Sequence, residues 1–389
     1  MQALWQTLPS EGRDNPHVVA EYLIKTGRLS RFQANKILKG VVAGLILGPY
    51  QVLAPIGKGG MGTVYLARDQ RNRQLVALKV LPPRRARRDP RLMSRFRREM
   101  DLCRRVKHPH LAAALEVGQI SEVAFIAMEF VPGVSLYRLV STKGALPPAR
   151  AARLLAEVAS AVQHIQEQGL IHRDLKPANV MVTPNDRAKL LDLGLALVQG
   201  ETGGPREVVG GAGYIVGTWD YISPEQIADS CRVDVRSDVY SLGCTLYFAL
   251  TGQPPFPGGK GRDKMHRQLR EEPVPIRWVN PAIPDALGEL VHQMMAKDPA
   301  LRPKTAAEVE RELRRLAGPE TTLPMDVPSD AGYARAVADL EMADPIADDT
   351  DQELLEIPEP ASQGISGLWL VVGVLFGLML LIAAYVLMH

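Results

Sequence analysis

The sequence predicts an α+β fold in two parts, ending in a helix that crosses a membrane. Three observations carry this. From Gly48 to about Phe130 the apolar residues fall in short, strand-like runs. Beyond Ser135 they fall in long segments with helical spacing. Strands first and helices later is the order of an α+β arrangement. Finally, Leu368–Met388 is an uninterrupted apolar stretch.

Taken in order, residues 17–40 predict a small helical element. Val18, Val19, Tyr22 and Leu23 recur at helical spacing, as do Phe32, Ile37 and Leu38, with Ser30 placed as N-cap of the second helix. Thr26-Gly27-Arg28 is the turn between them. A helical prop on the following lobe is the plainer reading, and a separate binding module the other. Strands follow at Tyr50–Ile56, Thr63–Arg68 and Leu75–Leu81, then a helix from about Arg91 to Val106. Short strands are expected around Leu115–Val117 and Ala124–Phe130. Long helices are expected over Arg150–Gln168, Ser237–Thr251, Asp285–Ala296 and Thr305–Leu316.

The 389 residues carry a net charge of +3, which argues against nucleic acid as the main partner. That balance hides an asymmetry. Residues 318–363 hold twelve acidic residues and one basic one, Arg335, a local −11 that leaves +14 elsewhere. This Pro-, Ala- and acid-rich stretch lacks periodicity and is expected to be a disordered spacer. Cys103, Cys231 and Cys244 show no paired spacing, so neither a disulfide framework nor a zinc site is expected. Met1–Ser10 has no basic cluster followed by an apolar core, so no signal peptide is expected.

The C-terminal segment 364–389 has no charge from Gly364 to Met388. Twenty-one helical residues reach roughly 31 Å, close to the ~30 Å of a hydrocarbon core. Trp369 and Tyr385 stand near its ends, where interfacial aromatics belong. Gly373 and Gly377 form G-x-x-x-G, a motif for a homodimer, although incidental small residues would look the same.

The chemistry concentrates in His172-Arg-Asp-Leu-Lys-Pro-Ala-Asn179, with Asp192-Leu-Gly194 following thirteen residues after Asn179. An acid, a lysine and an amide in one short run, then a second acid beside a glycine, equip a site to move a phosphoryl group with a metal ion. One acid orients a hydroxyl, the lysine offsets phosphate charge, and the amide and second acid offer hard oxygens to Mg²⁺.

These residues resemble the catalytic loop of the eukaryotic-type (Hanks-type) serine/threonine protein kinases, with DLG where DFG is commoner. The resemblance covers about Tyr50 to Leu316 and implies a bilobal fold: an antiparallel sheet plus one helix, then a mostly helical lobe. It divides the chain into 1–47 (a helical extension like that of many planctomycete-type bacterial kinases), 48–317 (kinase domain), 318–363 (linker) and 364–389 (tail anchor). ATP and Mg²⁺ are the implied cofactors, and protein Ser/Thr hydroxyls the implied acceptors. Because that nucleotide pool and its metal are cytoplasmic, the domain is placed on the cytoplasmic side of the membrane.

The resemblance assigns roles residue by residue. Ile56, Gly57, Lys58, Gly59, Gly60, Met61, Gly62, Thr63 and Val64 form the glycine loop over the phosphates. Lys79, closing Val76-Ala77-Leu78-Lys79, contacts the α- and β-phosphates. Its acidic partner is expected on the next helix, where Phe96, Glu99, Cys103 and Val106 share one stripe, which selects Glu99. Met128 is the gatekeeper, the backbones of Glu129 and Val131 read the adenine edge, and Val64 and Ala77 wall the base. Asp174 orients the acceptor hydroxyl, Lys176 neutralises the γ-phosphate, and Asn179 and Asp192 ligate Mg²⁺. His172 and Leu193 are packing pieces of the regulatory spine. Thr218 supports Asp174, Glu225 pairs with Arg302, and Asp238 braces the catalytic loop.

The chain also departs from its relatives. The usual acceptor threonines of the activation segment are replaced by Ala212 and Gly210, leaving Thr202 and Tyr214 as the only hydroxyl residues between Leu195 and Thr218. The usual loop autophosphorylation switch is therefore expected to be absent, with Glu207 or Thr202 as its substitute. Eight arginines from Arg84 to Arg98 surround the start of the Glu99 helix; they make a solvated face or a dock for anionic headgroups or the acidic spacer. A scaffold that binds nucleotide without turnover would need a missing catalytic part, and none is missing. A small-molecule kinase of the same fold would not need the protein-substrate platform of Thr218–Glu225.

Overall fold

The structure, a computed structural model, describes residues 14–58, 62–193, 197–198, 218–228 and 233–319. The described chain forms two compact units, one from residues 14–85 and 119–125, the other from 86–118 and 126–319.

The first unit opens with α1 (Pro16–Lys25) and α2 (Arg31–Leu38). Asn15 caps α1 by accepting the His17 N–H, and Pro16 occupies the first turn, where its missing N–H is not needed. Ser30 caps α2 as expected. Its hydroxyl accepts the Gln33 N–H while the Gln33 side chain accepts the Ser30 N–H, a reciprocal capping box. The same two side chains also stitch α2 to the sheet: Ser30 Oγ donates to the Leu53 carbonyl, and Gln33 Nε2 to the Val52 carbonyl at 2.7 Å. These bonds fix α2 against β2.

Strands β1 (Ile46–Leu47), β2 (Tyr50–Lys58), β3 (Thr63–Asp69) and β4 (Leu75–Leu81) pair as antiparallel neighbours. The β-branched and aliphatic run of β4 is buried on both faces from Val76 onward, which explains why it lacks polar alternation. Two helices follow, α3 (Pro83–Arg88) and α4 (Pro90–Arg105), the latter capped by Asp89 with Pro90 at its start. The strands β5 (Ala114–Ile120) and β6 (Val123–Glu129) complete a six-stranded sheet of order β1-β2-β3-β4-β6-β5. The sequence assigns the Glu99 helix to the sheet lobe. In the structure residues 86–118 group with the second unit, because Leu102, Cys103 and Val106 of this region join its core.

The second unit continues through β7 (Val134–Ser135), α5 (Leu136–Lys143), α6 (Pro148–Glu167), β8 (Leu170–Ile171), β9 (Val180–Val182), β10 (Ala188–Leu190) and β11 (Leu197–Val198). The remaining helices are α7 (Pro224–Ala228), α8 (Val235–Thr251), α9 (Gly261–Arg270), α10 (Ile276–Val279), α11 (Asp285–Met294) and α12 (Ala306–Ala317). The small strands form a β10-β9-β7 sheet and a β11-β8 pair. Helices α6 and α8 are buried nearly all round, and their Leu, Val and Ala residues dominate the core. Each fully buried Leu or Ile there contributes about 1.5–3 kcal/mol. Gln163 and Gln166 of α6 accept the Ala307 and Ala306 N–H groups, so α6 satisfies donors that the first turn of α12 cannot pair internally. The sequence pattern missed α9 because it is charge-rich and buries only Gln268, so it has no apolar stripe.

Cys103 and Cys244 are buried, and Cys231 lies outside the described residues. Among the described residues no helix is long and apolar enough to cross a membrane. The predicted linker beyond residue 319 and the predicted span 364–389 lie outside them.

Candidate active site

In the first unit, Ile56, Gly57 and Lys58 end β2, and Thr63 and Val64 begin β3, with Lys58 opposite Thr63 and Gly57 opposite Val64. The glycine segment therefore joins two antiparallel strands, as the expected hairpin requires. Gly59, Gly60 and Met61 lie outside the described residues. At Gly62 an added Cβ would sit 2.1 Å from the Val80 carbonyl oxygen, so only glycine fits against β4. Ala77 and Lys79 lie two apart on β4 and share a face, with Lys79 opposite Val64. Lys79 is buried, 5% exposed. A lysine held out of water needs an anion, either a side chain or a ligand phosphate.

In the second unit, Glu99 lies on α4, 1% exposed, on the stripe that contains buried Phe96 and Cys103. Met128 and Glu129 end β6, and Val131 is buried just beyond. Gly133 (φ +138°) finishes this segment, and an added Cβ there would lie 2.1 Å from the Val182 carbonyl. The chain can pass this close to β9 only without a side chain.

The catalytic-loop residues converge. Lys176 Nζ donates to both carboxylate oxygens of Asp174, at 2.9 and 2.7 Å. Asn179 Nδ2 donates to the Asp174 carbonyl at 2.9 Å and to its Oδ2 at 3.1 Å. The Leu191 N–H donates to the Asn179 carbonyl at 2.7 Å, which sets Asp192 one residue from a direct bond to Asn179. Arg173 (φ +67°) and Asp192 (φ +62°) both hold left-handed backbone conformations, costing about 1–3 kcal/mol each in non-glycine residues. Such strain persists where the surroundings enforce it, as they do at Arg173. Asp238 of α8 accepts the His172 and Arg173 N–H groups, both at 2.9 Å, and Gln226 Nε2 donates to the Arg173 carbonyl. His172 and Leu193 are buried, and Leu193 lies in the large core.

Asp238 is fully buried. Burial pushes its carboxyl above the usual aspartate range, against the pull of His172, the two backbone donors and Arg173. For Glu225 the balance reverses: burial pushes it up, but the Arg302 guanidinium and the Ser237 hydroxyl hold it below the usual glutamate range. Arg302 meets Glu225 with two parallel bonds, 2.7 and 2.9 Å, the pairing that the family resemblance implies. The Thr218 side chain lies outside the described residues, as does most of the activation segment.

The donor set suits Mg²⁺. Asn179 spends its Nδ2 on Asp174, leaving Oδ1 for a cation, and Asp192 adds carboxylate oxygens; both are hard ligands. Among the described residues no group of three or more His, Cys, Asp or Glu could hold a metal alone. Mg²⁺ bound through one or two side chains and substrate phosphates needs no such cage.

The sequence did not reveal Lys189. It extends from β10 between fully buried Ala188 and Leu190, and its Nζ meets both Glu129 carboxylate oxygens at 2.5 and 2.7 Å. A lone polar residue inside a short apolar strand, three positions before Asp192, was the available signal.

The protein kinase domain model matches residues 50–312. The chain is 37% identical over 321 residues to the serine/threonine-protein kinase PknB of Mycolicibacterium smegmatis, covering 82% of this chain and 50% of that protein. It is 38% identical over 286 residues to PknB of Mycobacterium tuberculosis, covering 72% and 45%. It is also 38% identical over 268 residues to the serine/threonine-protein kinase pkn2 of Myxococcus xanthus, covering 67% and 32%. The chain spans half the length, or less, of these curated relatives. A family model matching more than half of the chain, around a loop whose acid, lysine and amide are hydrogen-bonded together, makes this protein a member of the protein kinase family.

Proposed function

We propose that this chain is a membrane-anchored protein serine/threonine kinase of the planctomycete type, transferring the γ-phosphate of ATP to Ser/Thr hydroxyls of proteins. The observation that carries the reading is the Asp174 carboxylate held by Lys176 and Asn179, with Asp192 one residue from the Asn179 carbonyl.

In this reading Asp174 accepts the hydrogen bond of the acceptor hydroxyl and takes its proton as the oxygen attacks the γ-phosphorus. The new O–P bond forms as the bond to the β-phosphate oxygen breaks, and ADP leaves. Lys176 follows the phosphate and offsets its charge. Asn179 Oδ1 and the Asp192 carboxylate would hold Mg²⁺, which when bound would draw charge from the phosphate oxygens. Lys79 supplies a cation to the α- and β-phosphates. The glycine loop, Ile56 to Val64, brings backbone N–H groups to the phosphates, and Ala77 and Val64 contact the base. Met128 gates the space behind it, while Glu129 and Val131 offer backbone groups to its edge.

Residues 1–47 brace the sheet, 48–317 catalyse, 318–363 space the domain from the bilayer, and 364–389 anchor it with the kinase on the cytoplasmic side. The charge-free run from Gly364 to Met388 supports the anchor, and Gly373/Gly377 would allow a homodimer.

The test is label transfer from γ-labelled Mg-ATP to a generic basic protein by the detergent-purified chain. Phosphoserine and phosphothreonine should appear, and Asp174→Asn should reduce the rate by about 10²–10⁴-fold while nucleotide still binds. Transfer that survives Asp174→Asn would defeat the assignment. Deleting 364–389 should move the protein from the membrane fraction to the supernatant, and retention would defeat the anchor.

A further inference from the structure

We propose that Lys189 is a positioning residue that sets ATP selectivity, holding the Glu129 side chain where it spares the Glu129 carbonyl for the nucleotide base. The inference deepens the reading of Glu129 as a base-contacting residue and rests on it.

Glu129 ends β6 beside Ala113, just ahead of β5. In a regular antiparallel pair, two facing residues exchange both N–H···O bonds. Half of that exchange is present: the Glu129 N–H donates to the Ala113 carbonyl at 2.8 Å. The other half is diverted. The Ala113 N–H goes to the Glu129 carboxylate, Oε2 at 3.3 Å, rather than to the Glu129 carbonyl. The side chain has replaced its own backbone as acceptor.

That substitution needs the carboxylate held in place, since a glutamate at a strand end otherwise extends into water. Lys189 holds it, with Nζ bonded to both oxygens. Lys189 is itself carried on a strand hydrogen-bonded on both sides. Ala188, Lys189 and Leu190 pair with Val182, Met181 and Val180 of β9. On β10, the Ala188 N–H donates to Glu157 Oε2 at 2.5 Å. The Leu190 N–H donates to the His110 carbonyl, and its carbonyl accepts the Ala112 N–H. The ammonium is therefore delivered from a backbone anchored along its length.

The consequence lies in which purine is accepted. Adenine carries an amino donor at the ring position where guanine carries a carbonyl acceptor. A Glu129 carbonyl spared from Ala113 is an acceptor suited to the first and opposed to the second. An ordinary half-exposed ion pair contributes little by itself, and it would leave the strand ladder unchanged. The diverted Ala113 N–H is what marks this pair as more than a surface contact.

The experiment measures steady-state kinetics of the full-length chain with Mg-ATP and Mg-GTP, together with adenosine binding, in wild type, Lys189→Met and Lys189→Arg. Lys189→Met should raise the KM for ATP and the Kd for adenosine by about three- to tenfold, the loss expected for one hydrogen bond. The KM for GTP should hold, so the ATP/GTP ratio of kcat/KM falls by the same factor. Lys189→Arg, which keeps the charge and donors, should restore the ratio. In a Glu129→Ala background, Lys189→Met should have no further effect. An unchanged ATP/GTP ratio in Lys189→Met overturns the inference. So does an equal loss for both nucleotides accompanied by a lowered melting temperature. Failure of the wild-type chain to bind adenosine would instead overturn the base-contacting role of Glu129.

Discussion

Arg302→Met should destabilise the kinase domain more than most single substitutions, and its size follows from the environment of one side chain. The Arg302 side chain is fully buried, and all five of its N–H donors are used. Nε donates to the Ala296 carbonyl at 2.7 Å; Nη1 donates to Glu225 Oε1 and the Arg236 carbonyl; Nη2 donates to Glu225 Oε2 and the Lys297 carbonyl. Truncation to Met retains most of the volume but leaves a largely buried carboxylate without its cation. Breaking one side of such a pair costs about 3–5 kcal/mol. For a domain of this size each kcal/mol moves Tm by about 2–4 °C, so a fall of roughly 6–20 °C is expected. Thermal melts followed by far-UV circular dichroism measure it. Adding Glu225→Leu to Arg302→Met should recover part of the loss, because an apolar pair carries no stranded charge. A fall below about 2 °C, or a double variant that is simply additive, would refute the reasoning.

Three further outcomes follow from neighbouring contacts. Glu225 is held below the usual glutamate range, so its pairing contributes stability above about pH 4.3, and this is lost as pH falls through the folded-state value. The Tm gap between wild type and Arg302→Met should therefore narrow on acidification from pH 7 to about pH 3, and a constant gap would argue that Glu225 is not the group involved. Gly62→Ala places a Cβ against the Val80 carbonyl and should cost about 1–3 kcal/mol while weakening ATP binding, read by melting and nucleotide titration. Asp238→Asn leaves an amide NH₂ facing either the His172 or the Arg173 N–H, so stability should drop by about 1–3 kcal/mol. Its kcat should fall while the KM for ATP changes by less than about twofold, as expected where the loop geometry is disturbed and the nucleotide site is not.

Much of the site was legible in the sequence, because phosphoryl transfer demands particular residues at close spacing. Asp174, Lys176 and Asn179 fall within six residues of sequence, and the structure joins them by hydrogen bonds among themselves. The Ser30 cap was equally visible, since a capping box is written in four consecutive residues. The Glu225–Arg302 pair spans 77 positions and was reached only through family resemblance. Helix α9 escaped notice for a different reason: its stability comes from tertiary anchorage. Gln268 donates to the Trp219 and Asp220 carbonyls and accepts the Tyr240 hydroxyl, contacts that leave no periodic trace.

Local chemistry is what the chain alone determined: which segments extend, which coil, where a turn must be glycine, and which oxygens and ammonium groups could handle a phosphate. Hydrophobic period and motif spacing act over a few residues, so they can be read along one line of text. Only tertiary structure decided that Lys189 would reach Glu129 across 60 positions, and that the Ala113 N–H would then be satisfied by a side chain instead of a carbonyl. No pattern encodes that outcome, because it depends on where β10 comes to rest beside the end of β6, a placement set by packing of the whole unit.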